Sequence, residues 1–326
     1  MTTTAPATSP FTRILVPYDG SEPADAALDY AIALGRAGAK LDLLNVVDQV
    51  AAIAPEAAAA TAFDPTPVLE ALDDQGNALL KAAADRCRAA GVEPTVALEH
   101  GVPISGIIAA AERNGNDLIV LGTHGRSGFQ RLLVGSVTEG VLRAGTGAVL
   151  AVNPPVRPPV HAPFRKLLVA VDDSDPADAA AALAGRMART SGAACIFCHA
   201  IDLSDIHPRA ANHERVEAFV ATLRAQGREI IARARRAAGM TEANSYAAIV
   251  EDKPVKGILH EAEVTGADAI VIGSHGRRGL QRLFLGSVAE ELLRASELPV
   301  FVTRTPSPVP EPSKALAADA PLIAGV

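Results

Sequence analysis

The chain has 326 residues, enough for two ordinary domains and long for one. With 49% hydrophobic and 21% charged residues it has the balance of a globular protein, and 3% aromatic content with no Trp suits helix–sheet packing through small side chains. A formal charge of -7 excludes a nucleic-acid binder that works through a broad basic surface, whereas one bound nucleotide needs only local donors.

No apolar run approaches the roughly 18 residues of a membrane span, and the opening MTTTAPATSP lacks the basic-then-apolar order of a signal peptide. No membrane association and a cytoplasmic location are therefore expected. Cys87, Cys195 and Cys198 are too few for a disulfide framework. Cys195 and Cys198 form a C-x-x-C inside AACIFCHAI, which reads as a strand. Residues three apart in a strand face opposite sides, so buried structural thiols are expected rather than a redox or metal pair.

In chain order, residues 1–10 are a tail without periodicity, expected to be disordered. RILVPYD (Arg13–Asp19) is a strand ending in a carboxylate. A helix follows with Ser21 as N-cap, Pro23 in its first turn and Gly38 past its end. Lys40–Asp48 is a second strand, and Ala51–Pro67 is a connection long enough to act as a mobile flap. Val68–Ala90 is a helix stopped by Gly91, Thr95–Gly101 a strand, and Ile104–Arg113 a helix with Pro103 near its start. Strand Asp117–Gly122, a glycine-rich loop, helix Ser136–Ala144 and strand Gly147–Val152 complete the first half. The proline cluster Asn153–Pro163 blocks helix and ladder alike, which makes 154–163 a linker between domains at 11–153 and 164–304. The second half repeats every step, from KLLVAVD to PVFVT, and 305–326 is expected to be a second disordered tail.

Strands alternating with helices predict α/β architecture: two tandem doubly wound, Rossmann-like domains, each a five-stranded parallel sheet with helices on both faces. In such sheets a ligand lies beyond the carboxyl ends of the strands, where strand order reverses. Asp19 and Asp172 end the first strands, and the loops at Gly122 and Gly273 follow the fourth. If those strands are neighbours, carboxylate and loop flank one crevice.

The loops carry the chemistry. Ile119–Ala144 and Ile270–Ala295 align without a gap at 17 identical positions of 26, too many for an accidental turn. Both have the spacing Gly-x2-Gly-x9-Gly-Ser: Gly122, Gly125, Gly135 and Ser136 in one, Gly273, Gly276, Gly286 and Ser287 in the other. Glycine permits positive φ and removes the side chain that would keep a phosphate off the backbone. The N–H groups of Ser136 and Val137, and of Ser287 and Val288, are the unsatisfied donors of a helix N-terminus, suited to an anion. The serine hydroxyl adds a donor or caps the helix. Arg126, Arg131, Arg277, Arg278 and Arg282 either reach the same phosphates or are solvated. His124 and His275 invite a general-base reading, but no orienting carboxylate is evident.

This pattern resembles the ATP-binding universal stress proteins, and the resemblance covers both halves, extending to VPYDGSEPA and VAVDDSDPA at the ends of the first strands. It implies two nucleotide sites. Asp19 and Asp172 would lie by ribose and phosphates, Val47 and Ile201 would meet adenine through backbone groups, and the glycines and serines would hold ribose and phosphates. It also implies pairing through the fifth strands, at Leu150–Val152 and Phe301–Thr303, within the chain or in a homodimer, with protein partners unknown. The two copies differ after the third strand, where His100-Gly101 faces Glu251-Asp252, so weaker binding is expected in the second. ATP, with Mg²⁺ as an accompanying ion, would make the chain a nucleotide-dependent switch in the stress response. The alternative is a slow Mg-dependent ATPase. No G-x4-G-K-[ST] positions a lysine for P-loop hydrolysis, and no G-x-G-x-x-G follows the first strand.

Overall fold

The computed structural model describes residues 9–49, 64–123, 134–145, 147–154, 164–204, 213–275 and 285–304. The first half runs β1 (Arg13–Pro17), α1 (Glu22–Arg36), β2 (Lys40–Val47), α2 (Thr66–Ala89), β3 (Thr95–His100), α3 (Pro103–Asn114), β4 (Leu118–Gly122), α4 (Ser136–Ala144) and β5 (Ala148–Val152). The second runs β6 (Lys166–Ala170), α5 (Asp175–Ser191), β7 (Ala194–Ala200), α6 (His213–Ala238), β8 (Tyr246–Val250), α7 (Pro254–Thr265), β9 (Ala269–Gly273), α8 (Ser287–Ala295) and β10 (Val300–Thr303). Local sequence explains the boundaries. Ser21 and Ser174 cap α1 and α5 through their hydroxyls, with proline in each first turn, and Gly115, Gly192 and Gly266 end α3, α5 and α7 in the left-handed conformation. Residues 1–8 of the expected N-terminal tail, the whole expected C-terminal tail, most of the proline linker and most of the flap at Ala51–Pro67 fall outside the described residues.

Each half has the strand order 3-2-1-4-5, all parallel. The halves are not separate sheets. β5 and β10 pair antiparallel, Leu150 opposite Phe301 and Val149 opposite Val302, giving one ten-stranded sheet β3-β2-β1-β4-β5-β10-β9-β6-β7-β8. Both fifth-strand edges are thus used inside one chain, and the edges left open among the described residues belong to β3 and β8.

The helices cover both faces. Side chains of α1, α2, α5 and α6 pack on one, those of α3, α4, α7 and α8 on the other. Cys195 lies in the first cluster and Cys198 in the second, so the C-x-x-C is split by the sheet. Burial pushes their thiols up to about 11 and about 12, which leaves both inert. Where the halves meet, Phe301 of β10 stacks on Phe11 at 5.9 Å between ring centroids and meets Phe164 edge-on at 5.1 Å. Tyr30 of α1 stacks on Phe164, and the Arg186 guanidinium lies 5.6 Å over Phe11. No helix among the described residues is long and apolar enough to cross a membrane.

At the opposite end of the sheet from the crevice, Asp42 of β2 is buried beneath Arg13 Nη2 (2.9 Å), Asn116 Nδ2 (2.7 Å) and the Thr95 hydroxyl. Burial alone would raise its pKa, but these donors outweigh burial and hold the carboxyl below the usual carboxylate range. A depressed folded pKa stabilises the fold above the unfolded value and loses that contribution as pH falls through the folded one. Urea denaturation at stepped pH should therefore find Asp42→Asn less stable at neutral pH, but with a flatter decline below about pH 4 than the parent. Equal slopes would refute the assignment. Phe301→Ala should cost about 3–5 kcal/mol in the same assay, and a loss under about 1 kcal/mol would show that the ring cluster does not hold the halves together.

Candidate functional site

The crevice forms because β1 has β2 on one side and β4 on the other, so the two connections diverge. In the first half, the Tyr18 N–H donates to Leu44 O (2.8 Å) and Asn45 Nδ2 donates to Tyr18 O (2.7 Å). The chain then leaves the sheet at Asp19, whose Oδ1 accepts from Ser21 N at 3.0 Å and turns it into α1. Asp19 and Val47 line one cleft of about 180 Å³ with Asn45, Asp48, Leu72 and Gln75, between the end of β2 and α2. Val47 is buried, and its carbonyl accepts from Gly101 N at 3.0 Å, with a second lone pair remaining.

On the far side, Gly122 ends β4. Its φ is not positive, so conformational freedom is not what requires glycine there; a Cβ would stand 2.4 Å from the backbone carbon of Pro23. Gly273 meets Pro176 in the same way, at 2.5 Å. The expectation of positive φ is corrected at Gly122 and Gly273: these glycines let the first turn of α1 or α5 close onto the end of β4 or β9. Gly135 and Gly286 are the N-caps of α4 and α8, also at negative φ (-58° and -66°). Neither helix start has a side-chain cap, because Ser136 and Ser287 are its first helical residues rather than its caps. Ser136 and Ser287 are exposed, while Val137 and Val288 are half-buried behind them. The Thr138 hydroxyl, donating to Gly122 O at 2.6 Å, fastens α4 to β4.

The second crevice repeats this frame with different side chains. His199 Nδ1 holds Val171 O at 2.8 Å, where Asn45 holds Tyr18 O. Ile201, buried at the end of β7, donates its N–H to Val250 O at 2.8 Å. The Ser174 hydroxyl lies against Asp172 Oδ1 and 3.3 Å from His275 O, so corner and loop touch. Ala289 replaces Thr138. Gly101 has φ 132° with open space around it, whereas Asp252 at its counterpart ties Lys253 N (2.8 Å) and Lys256 Nζ (2.7 Å) to its own carboxylate. Asp173 replaces Gly20 and pairs with Arg233 of α6 at 2.7 Å. His275 Nδ1 sits 2.9 Å from Ser274 Oγ, and its buried Nε2 has no partner among the described residues. Burial, then the nearby Arg304 charge, lower its pKa, which keeps the ring neutral at pH 7. A base without an orienting carboxylate is poorly equipped for catalysis.

Gly125, Gly276, His124, Arg126, Arg131, Arg277, Arg278 and Arg282 lie outside the described residues. The structure brings Asp19 to Val47, and the Asp19–Pro23 corner to Gly122. The sequence reading missed Asn45, His199 and Thr138. For Asn45 and His199 a signal existed: a polar residue at matching places near the ends of two mainly apolar strands.

The family model described as the universal stress protein family matches this chain twice, at residues 10–153 and 163–304. A universal stress protein of Mycobacterium tuberculosis is 34% identical over 199 residues, 59% of this chain and 63% of that relative, so less than two thirds of the relative's length is spanned. One from Methanocaldococcus jannaschii is 31% identical over 146 residues, 44% of this chain and 84% of its own length. The crystal structure of a universal stress protein from Archaeoglobus fulgidus superposes with a TM-score of 0.65 at 26% identity, covering 91% of this chain and 98% of that one. With both halves matched, and each half folded about the same crevice, the chain belongs to the universal stress protein family as a tandem of two such domains.

Proposed function

We propose that each domain binds ATP at the end of β1 and β4, and that occupancy switches the chain's interactions in the stress response. The observation that carries this reading is the pair of helix N-termini, α4 and α8, that have no side-chain cap among the described residues and start beside the ends of β4 and β9, onto which the first turns of α1 and α5 close. In the first site Asp19 and the cleft by Val47 would take ribose and base, and Gly135, Ser136 and Val137 the phosphates. In the second the counterparts are Asp172, Ile201, Gly286, Ser287 and Val288, and Gly122, Gly125, Gly273 and Gly276 shape the two loops. Mg²⁺ accompanying the phosphates would be held mainly by their oxygens, with Asp19 or Asp172 as the protein ligand. His275 has a serine rather than a carboxylate on Nδ1, which favours binding over turnover as the role of the second site.

Denaturing the purified protein and identifying the released nucleotide tests the reading: ATP at up to two per chain is expected, and its failure to bind even when added would defeat it. Gly135→Asp is a sharp variant. The position already has N-cap geometry, so aspartate suits the helix, yet its carboxylate would occupy the anion site. ATP affinity at the first site should fall at least roughly tenfold while the melting temperature holds or rises. Gly286→Asp does the same to the second site. Because Asp252 and Asp173 replace two glycines around that site, the Gly135→Asp chain, with only its second site intact, should bind ATP more weakly than the Gly286→Asp chain. The reverse order would refute the asymmetry.

A further inference from the structure

Helix α4 presents its N-terminus to the first crevice, and its other end is held by the second domain. Of the carbonyls left open at that end, Val141 O accepts from Gly145 N at 2.7 Å, within the domain. The next, Leu142 O, accepts from Arg304 Nη1 at 3.4 Å, 162 residues away in sequence. Arg143, the helix's own basic residue in its last turn, is turned back to Glu139. Among the described residues, the cation that complements this end from outside the helix is thus Arg304.

Arg304 is anchored in the frame of the other crevice. It follows Thr303, whose carbonyl accepts from Ser274 N at 2.8 Å and whose hydroxyl donates to Pro176 O at 3.4 Å. Ser274 ends at His275, and Pro176 lies in the first turn of α5, beside Asp172 and Ser174. The Arg304 N–H also reaches Gly147 O at 3.4 Å, across the junction between the halves. One residue therefore spans from the rim of the second crevice to the phosphate-facing helix of the first. The arrangement is not reciprocal. The residue in the matching place of the first half is Asn153, whose short side chain stays at home and accepts from the Thr123 hydroxyl at 3.2 Å.

We propose that Arg304 is a positioning residue that ties the first domain's phosphate helix to the state of the second crevice. An anion at the N-terminus of α4 and a cation at its C-terminus act on one helix dipole, so each favours the helix position that serves the other. A ligand that orders the ends of β9 and β10 fixes Arg304 and thereby tightens the first site. By thermodynamic reciprocity, filling the first site tightens the second. This rests on the nucleotide reading above.

Calorimetric titration of the full chain with ATP tests it, using Gly286→Asp, Arg304→Gln, both together, and Arg304→Lys, with circular dichroism as the check on folding. Arg304→Gln and Gly286→Asp should each weaken the first site, roughly threefold to tenfold, and together should weaken it no further. Arg304→Lys should restore most of the loss, which a purely steric role would not. First-site affinity within a factor of two of wild type in Arg304→Gln, or effects that multiply in the double variant, would overturn the proposal. Two readouts need no nucleotide. In Arg304→Gln the His275 ring should titrate at higher pH by NMR, and amide exchange in α4 should quicken. If wild type binds no ATP the nucleotide reading fails, and unchanged α4 exchange in Arg304→Gln would then sink the positioning role as well.

Discussion

Backbone hydrogen bonds between β5 and β10 join two sheets that would each otherwise end in an open edge strand, apolar throughout but for Thr303. Such an edge is a template for any passing strand, and burying it against its own counterpart removes that hazard. Everything between the two crevices follows from this junction. The strands that carry the glycine motifs, β4 and β9, lie one step away on either side. The aromatic group of Phe11, Phe164 and Phe301 fills the face covered by α1 and α5 there, and Thr303 and Arg304 leave the sheet where they reach both halves.

A tandem chain is freed from a constraint on a symmetric dimer, in which any change is made twice. Here the two crevices share a backbone plan and differ in the side chains that trim it. Asn45 and His199 make the same bond to the end of the first strand with groups of different size and charge capacity. In one half Arg86 joins α2 to α1 through Asp25 and Asp29; in the other Arg233 joins α6 to Asp173, Asp175 and Asp178 at the start of α5. The second corner is consequently strapped by ion pairs beside its crevice, where the first has Gly20 in the left-handed conformation with Leu79 packed over it.

Much of this was legible in the residues. Continuous apolar runs between helix signals placed the strands, and the internal repeat placed each Asp beside its glycine loop. The splitting of Cys195 from Cys198 followed from strand geometry alone. Helix starts were less certain: α2 begins at Thr66 rather than Val68, because Pro65 and Pro67 are compatible with a first turn. What composition and period do not encode is contact between distant segments. Nothing local to Arg304 says that its guanidinium reaches Leu142, and the bonds from Asn45 and His199 to the first-strand ends emerge only once the neighbouring strand is in register. The reason for Gly122 was misread for the same cause, since Pro23 lies 99 residues earlier in the chain.

The contact between Gly122 and Pro23 separates two things that a motif search treats as one. The first glycine of each loop is demanded by the way helix and strand ends pack, whether or not a ligand is ever present. A domain of this fold that had abandoned nucleotide would still be under pressure to keep it, whereas Gly135, at negative φ in a helix cap, holds a backbone conformation in which other small polar residues are at home. Loss of ligand should therefore be written first in the last glycine of the pattern and latest in the first, so that a partial motif is informative by which end survives.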